Sequence, residues 1–142
     1  MIELVTVMLM VSILAAVAIP KFTSRGDFDV LGFLQQTQQS LRLAQKTAIA
    51  KRRLVCVSIA SNTLSLQFAS TYGASVCDQN LINTTTGSAW SQAAPNGIGI
   101  TALAFNYDPL GRPSFATTQT LNVTGGAATK NITIEAETGY VH

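Results

Sequence analysis

The stretch that decides the fold is the N-terminal one, Met1-Ile-Glu-Leu-Val-Thr-Val-Met-Leu-Met-Val-Ser-Ile-Leu-Ala-Ala-Val-Ala-Ile-Pro20. No charged residue occurs between Leu4 and Ile19. At about 1.5 Å per residue, a helix over residues 2–19 has a length of about 27 Å, close to the hydrocarbon thickness of a bilayer. Glu3 interrupts this apolar pattern, and a carboxylate there needs solvent, a partner or a proton. We therefore predict a transmembrane helix over residues 1–20, with a functional role to be found for Glu3.

Three interpretations of residues 1–20 compete. A cleavable secretory signal has a basic start and a small-residue cleavage site. Ala16-Val17-Ala18 resembles such a site, but the segment starts with an acid, Glu3. An ordinary signal anchor gives Glu3 no use. The third interpretation is a helix that resides first in a membrane and later in a protein assembly, where Glu3 meets a positive partner.

The helical pattern continues beyond Pro20. Proline inside a helix removes a hydrogen bond and predicts a kink, and Gly26 can loosen the helix further. We expect residues 21–53 to be the amphipathic half of one interrupted helix of about fifty residues, with Lys51, Arg52 and Arg53 at the C-terminal end, where cations suit the helix dipole. Steps of four and three residues define its apolar stripe: Val30, Leu34, Thr37, Leu41, Ala44 and Ala48.

Residues 54–142 show the alternation and turn residues of a β domain. Residues 54–60 and 64–68 are predicted to form a hairpin, and further strands are expected at 98–105, within 114–124 and at 131–136. Residues 70–97 have little pattern and contain Trp90, expected to pack in the core or a loop. The predicted fold class is α+β: a long N-terminal helix whose apolar stripe covers a mostly antiparallel sheet.

Composition and charge fit an exported structural domain. Charged residues are 11% of the 142 residues, against about 25% in typical soluble domains. Residues 21–53 hold seven Lys or Arg against two Asp, a net +5, whereas residues 54–142 carry a net −2. The mildly acidic β domain argues against a general nucleic-acid binder.

The residues that carry catalysis or bind metals are scarce. The only histidine is His142, the last residue, and no Ser-His-Asp set or phosphate-binding glycine loop is found. We expect no enzyme activity, no cofactor and no metal site. Cys56 and Cys77 most simply form one disulfide in an exported domain, with two free buried thiols as the alternative.

Several of these stretches closely resemble one known family. Ile2-Glu3-Leu4-Val5, the apolar run, Ala18-Ile19-Pro20 and the amphipathic helix are similar to the N-terminus of type IV pilins and type II secretion pseudopilins. Residues 105–113 and 132–141 resemble strands of the GspH/FimT-like minor pilins and pseudopilins. Within that group the sequence is most similar to a minor pilin of the mannose-sensitive haemagglutinin (MSHA) pilus type. The resemblance implies the pilin fold.

The resemblance also implies roles for Glu3 and Pro20 in assembly. In the family, the acid is thought to pair with the N-terminal amine of a neighbouring subunit, and the proline lies where the helix leaves the membrane. One departure is that Met1 stands where the family has a leucine, without the upstream basic leader and Gly-Phe processing site. Our hypothesis is that the true start lies upstream of Met1.

The expected function is therefore a minor pilin-like subunit of a type IV pilus. Held in the inner membrane with a periplasmic C-terminal domain, it would join or prime the fibre through the pilus assembly platform and contact other pilins through its N-terminal helix. The alternatives are an H-type type II secretion pseudopilin and a DNA-binding or adhesive tip module. Candidate residues for a polyanion or an acidic patch on another pilin are Lys51, Arg52, Arg53 and Arg112, although a solvated helix end explains the first three.

Overall fold

Two helices form the first part of the chain in the computed structural model, which describes the backbone of residues 2–23 and 25–142 and the side chains of residues 2–16 and 27–142. Helix α1 spans Ile2–Thr23 and helix α2 spans Arg25–Lys51. The kink predicted at Pro20 and the loosening predicted at Gly26 concern residues 17–26, whose side chains lie outside this description. The order of the elements, helices first and strands after them, confirms the predicted helical segment followed by a β domain.

Helix α2 buries the predicted stripe. Five of its six positions are buried and Leu34 is half-buried against the core. Phe33 and Ser40, which the stripe did not include, are buried too and widen the covered face. The helix lies against strands of both sheets described below. The core between them contains, besides α2, the buried residues Val55, Val57, Leu64, Leu66, Phe105, Tyr107, Leu121, Val123, Ile132 and Ile134.

Eight strands form two antiparallel sheets in the described part of the chain. Their bounds are β1 Val55–Ala60, β2 Thr63–Phe68, β3 Gln79–Asn80, β4 Ser91–Ala93, β5 Ile98–Ile100, β6 Leu103–Tyr107, β7 Gln119–Gly125 and β8 Ala128–Ile134. The five-stranded sheet has the order β3-β2-β1-β6, with β4 also paired to β2. The three-stranded sheet has the order β5-β7-β8. A single mostly antiparallel sheet was expected, so the division into two sheets is a correction.

The predicted hairpin is confirmed and also links the two sheets. Ala60 pairs with Thr63 across a two-residue turn in which Ser61 and Asn62 both have positive φ, 49° and 58°. Positive φ at both central positions is the geometry that suits the twist of a tight hairpin. The Oδ1 atom of Asn62 accepts a hydrogen bond of 3.3 Å from the backbone N–H of Ile100 in β5. The turn of one sheet thus contacts an edge strand of the other.

The predicted strand over residues 98–105 was wrong as one element. Strand β5 pairs with β7, whereas β6 pairs with β1 in the other sheet. The chain changes sheets at Thr101, whose N–H donates to the carbonyl of Asn122 at 3.0 Å. Buried positions are even-numbered before this point, at Ile98 and Ile100, and odd-numbered after it, at Phe105 and Tyr107. This one-residue shift in the alternation of buried positions was the signal in the sequence for two separate strands.

The weakly patterned segment 70–97 is fastened by a disulfide and a buried amide. The predicted pairing of Cys56 with Cys77 is confirmed, with Cα atoms 6.1 Å apart. Gln92 in β4 is buried against α2, where its Oε1 accepts from the Ser40 hydroxyl at 2.7 Å and its Nε2 donates to Thr37 Oγ1 at 3.3 Å. Two short strands, β3 and β4, therefore hold a stretch that local pattern alone left without structure.

Candidate assembly interface

Helix α1 presents apolar side chains all around its surface. Their relative exposure lies between 58% and 83%, in contrast to the buried face of α2. Among the residues that the structure describes, no helix combines the length and the hydropathy needed to cross a membrane. The membrane-spanning role of residues 1–20 therefore stays a prediction. Within residues 2–16, the large exposed apolar residues are Ile2, Leu4, Val5, Val7, Met8, Leu9, Met10, Val11, Ile13 and Leu14.

The two hydroxyl side chains of α1 are satisfied within the helix. Thr6 Oγ1 donates to the carbonyl of Glu3 at 2.8 Å, and Ser12 Oγ donates to the carbonyl of Met8 at 2.7 Å. Such back-bonding removes hydroxyl groups that would otherwise need water. Residues 2–16 of α1 are thus suited to pack against other apolar helices or lipid chains.

Glu3 lies in the first turn of α1 and is exposed. A carboxylate at this end interacts favourably with the positive end of the helix dipole. Leu4, Val7 and Met8 lie on the same exposed face of the helix beside Glu3. Within the described side chains, no cation lies within ion-pair distance of it. The assembly role of this acid, like that of Pro20, stays a prediction.

Hydrogen bonds attach α2 to the two segments that resemble minor pilins, residues 105–113 and 132–141. Arg42 donates from Nε and Nη2 to the carbonyl of Val141, at 3.2 and 2.9 Å. Gln45 Nε2 donates to the carbonyls of Gly111 at 3.0 Å and Thr138 at 2.7 Å. Neither Arg42 nor Gln45 was predicted from the sequence to have such a role. The only signal in the sequence was that both polar residues lie beside the apolar stripe.

Backbone geometry and aromatic contacts fix the basic residues at the end of α2. Arg52 has a φ of 51°, its N–H donates to the Ile49 carbonyl, and the next N–H, of Arg53, donates to the Ala48 carbonyl. This is a Schellman cap with arginine where glycine is usual. Lys51 Nζ lies 4.6 Å from the ring centre of Phe68. The guanidinium of Arg53 donates to the Ala69 carbonyl at 3.4 Å, so two of the three cations have internal roles.

Arg112 is not grouped with these three cations by any observed contact. It is exposed and borders a groove of about 480 Å³ with Pro113 and the acidic Glu137. The one ion pair among the described side chains joins His142 Nε2 to Glu135 at 3.4 Å. No described contact therefore brings all four basic residues together in one polyanion site, and that site stays a prediction.

Two ionisable groups in the β domain, Asp78 and Tyr107, have shifted pKa values. The hydroxyl and backbone N–H of Ser70 donate to the carboxylate of Asp78 and lower its pKa below 3.8. Burial alone raises the pKa of Tyr107, whose hydroxyl has no hydrogen-bond partner among the described atoms. Within residues that the structure describes, no three His, Cys, Asp or Glu side chains cluster as metal ligands would.

The fold is similar to solved structures of minor pilins and a minor pseudopilin, although no protein-family model and no curated protein matches the chain. The type IV minor pilin FimU of Pseudomonas aeruginosa superposes with a TM-score of 0.60 at 13% identity, over 85% of this chain and 90% of that one. A second crystal form of FimU gives a TM-score of 0.57 at 10% identity, covering 79% and 90% of the two chains. The minor pseudopilin EpsH of the Vibrio cholerae type 2 secretion system gives 0.61 at 12% identity, covering 80% and 94%. The chain therefore has the pilin fold of the type IV minor pilins and the type II secretion minor pseudopilins.

Proposed function

We propose that the protein is a minor pilin-like structural subunit that enters a type IV pilus through helix α1. The observation that carries this proposal is the apolar surface of α1, attached to a β domain of the pilin fold. Burying one large apolar side chain stabilises by about 1.5–3 kcal/mol, and residues 2–16 of α1 expose ten such side chains. Such a helix needs either lipid or other helices as a cover.

Lipid covers the apolar surface of α1 first, and a bundle of helices covers it later. In the inner membrane the apolar side chains of residues 1–20 meet acyl chains, while residues 54–142 lie in the periplasm. On extraction by the assembly platform, the same side chains pack against the helices of other pilins. Because lipid is as apolar as leucine, close packing and polar pairing must favour the fibre over the membrane.

Glu3 supplies the polar pairing in this mechanism. A carboxylate enclosed in an apolar bundle is strongly unfavourable unless a cation and hydrogen bonds compensate it. The N-terminal amine of the neighbouring subunit is the cation that an N-terminal helix can present at the same depth. The pairing then rewards one axial register over others, because a slip leaves both charges buried and unpaired.

A type II secretion pseudopilin of the H type is the second candidate. The TM-scores of the two kinds of neighbour, 0.60 and 0.61, do not separate the pilus from the pseudopilus. We prefer the pilus because the motifs of the sequence resemble those of an MSHA-type minor pilin. Among the described residues, no contact favours DNA binding or adhesion at the tip over a role as a pilin or pseudopilin subunit.

The test is Glu3→Ala with Glu137→Ala, an exposed acid of the β domain, as the matched control. We expect both variants in the inner-membrane fraction at wild-type levels, but only the Glu137 variant in sheared and purified pili. Immunoblots of the two fractions measure this. Incorporation of the Glu3 variant at the wild-type level contradicts the assembly role. Absence of the wild-type protein from pili, with a loss of type II secretion on its deletion, favours the pseudopilin.

A further inference from the structure

The last turn of α2 borders a second groove in the β domain, of about 380 Å³, which we name the α2 end groove. It is lined by Ile49, Arg52, Tyr72, Pro109 and Leu110. These residues come from three separate segments: the end of α2, the loop after β2 and the turn after β6. The α2 end groove is therefore a product of the tertiary fold and not of one local motif.

Three large apolar side chains of this groove are open to solvent. Ile49 is 49% exposed, Tyr72 is 79% exposed and Leu110 is 69% exposed. Single exposed apolar residues are ordinary, but several around one depression indicate a contact surface. An aliphatic or aromatic anchor from a partner would gain most from burial there.

The turn that forms one wall is held by its own hydrogen bonds. Asp108 Oδ1 accepts from the N–H groups of Leu110 at 2.9 Å and Arg112 at 2.8 Å. The N–H of Asp108 donates to the Arg112 carbonyl at 2.9 Å. Gly111 lies so close to Ile49 that an added Cβ would be 2.7 Å from its Cδ1 atom. A wall fixed in this way loses little conformational entropy when a partner binds.

The charge beside the groove is positive. Lys51, Arg52 and Arg53 are consecutive, and none of them forms an ion pair with a described carboxylate. Asp78 accepts hydrogen bonds from Ser70, and the charge of Arg53 also contributes to lowering the pKa of this carboxylate, so part of the positive charge is offset. The end of a helix carries about −0.5 charge, which three full positive charges outweigh.

We propose that the α2 end groove binds an acidic segment with one apolar anchor, presented by a neighbouring subunit of the same fibre. The groove lies at the end of α2 opposite to α1, about 40 Å along a helix of 27 residues. In a fibre built on α1, a neighbour displaced along the fibre axis reaches this end. Duplex DNA fits less well, because phosphates gain nothing from three exposed apolar side chains. This proposal rests on the proposed function.

The first test measures peptide binding by the full chain in detergent micelles, which requires no fibre. The probe is a fluorescent Glu-Glu-Phe-Glu-Glu peptide, with Gln-Gln-Phe-Gln-Gln and Glu-Glu-Ser-Glu-Glu as comparisons. We expect roughly tenfold weaker binding of both comparison peptides, which is about 1.4 kcal/mol. Equal binding of all three peptides, or none by the first, overturns the proposal.

Variants locate the binding on the protein. Arg52→Gly removes the cation while keeping a residue that adopts the positive φ without strain, so the fold is kept. We expect roughly tenfold weaker binding for Arg52→Gly and for Leu110→Ser, no loss for Arg52→Lys, and no loss for the control Arg112→Ser. Competition by duplex DNA together with unchanged binding of Leu110→Ser identifies a nucleic-acid site and refutes the proposal.

The second test is made in native fibres and separates the two proposals. A photo-crosslinking amino acid is placed at Leu110 in one strain and at Leu9 of α1 in another. Adducts with fibre subunits from both positions support the groove and the assembly role. Adducts from Leu9 alone overturn the groove while the proposed function stands. Adducts from neither, in strains that make fibres, overturn the proposed function.

Discussion

Gly139 packs so tightly against other segments of the domain that Gly139→Ala should be strongly destabilising. Gly139 is buried and has a φ of 68°. An added Cβ would overlap the carbonyl oxygen of Gly111 and lie 2.8 Å from Gln45 Nε2 and 2.9 Å from Tyr107 Cε1. The first of these atoms belongs to the backbone, so relief requires the 108–112 turn itself to move.

The magnitude has two parts, and Gly87 separates them. Placing a side chain at positive φ costs about 1–2 kcal/mol. Overpacking a close contact adds about 1–3 kcal/mol. Gly87 has the same φ of 68°, but no atom lies within 4 Å of an added Cβ there, so Gly87→Ala should show only the first part. We therefore expect Gly139→Ala to lose about 1–3 kcal/mol more than Gly87→Ala.

Urea denaturation of the full chain in detergent, followed by the fluorescence of Trp90, measures this difference. Trp90 is the only tryptophan and packs against the core. The slope of the free energy against urea should stay the same in both variants, so that the midpoint reports stability. Equal losses for the two alanine variants would refute the packing argument.

Three further predictions concern the same domain. Arg52→Gly should raise the free energy of unfolding by about 0.5–1 kcal/mol, because glycine adopts the positive φ of this cap more easily; a lower urea midpoint contradicts this. The double variant Cys56→Ser/Cys77→Ser should lose about 3 kcal/mol in the same assay, since the disulfide spans 21 residues of sequence, and an unchanged midpoint is the contrary result. Ser70 lowers the pKa of Asp78, so this carboxylate stabilises the fold fully above its unfolded pKa, and the contribution is lost as the pH falls through the folded pKa. The stability of wild type and Asp78→Asn should therefore converge below about pH 4, and a constant difference down to pH 2 contradicts the assignment.

Much of the fold followed from local patterns in the sequence. The four-and-three spacing from Val30 to Ala48 predicted the face of α2 that is buried, because a helix brings these positions to one side. The alternation on either side of Ser61 and Asn62 predicted the hairpin of β1 and β2. The disulfide followed from having two cysteines in a domain that looked exported.

What the sequence did not predict depends on contacts between distant residues. Gln45 reaches carbonyls 66 and 93 residues away, and Arg42 reaches one 99 residues away. No period in the sequence encodes such pairs. Gln92 was missed because its strand, β4, has only three residues and is held in place by pairing with β2 and by contact with α2. The division of residues 98–107 between two sheets was visible only as a one-residue shift of phase.

For the candidate interface, too, some features were evident in the sequence and others were not. The apolar run and Glu3 were evident in the sequence because they are contiguous, and the structure shows the described part of that run exposed. The α2 end groove was not predicted, because Tyr72 and Leu110 meet Ile49 only after two loops return to the end of α2. The sequence pointed to the basic residues beside the groove, but not to the apolar walls that give them a specific use.

The most direct test of the central claim is a photo-crosslink from Leu9 in purified native fibres, analysed by mass spectrometry. Leu9 is 59% exposed on α1, and the account requires another subunit to cover it. We predict adducts between Leu9 and the N-terminal helix of another fibre subunit, formed in wild type and lost together with incorporation in Glu3→Ala. Fibres that contain the protein but give no Leu9 adduct with any subunit would contradict assembly through α1.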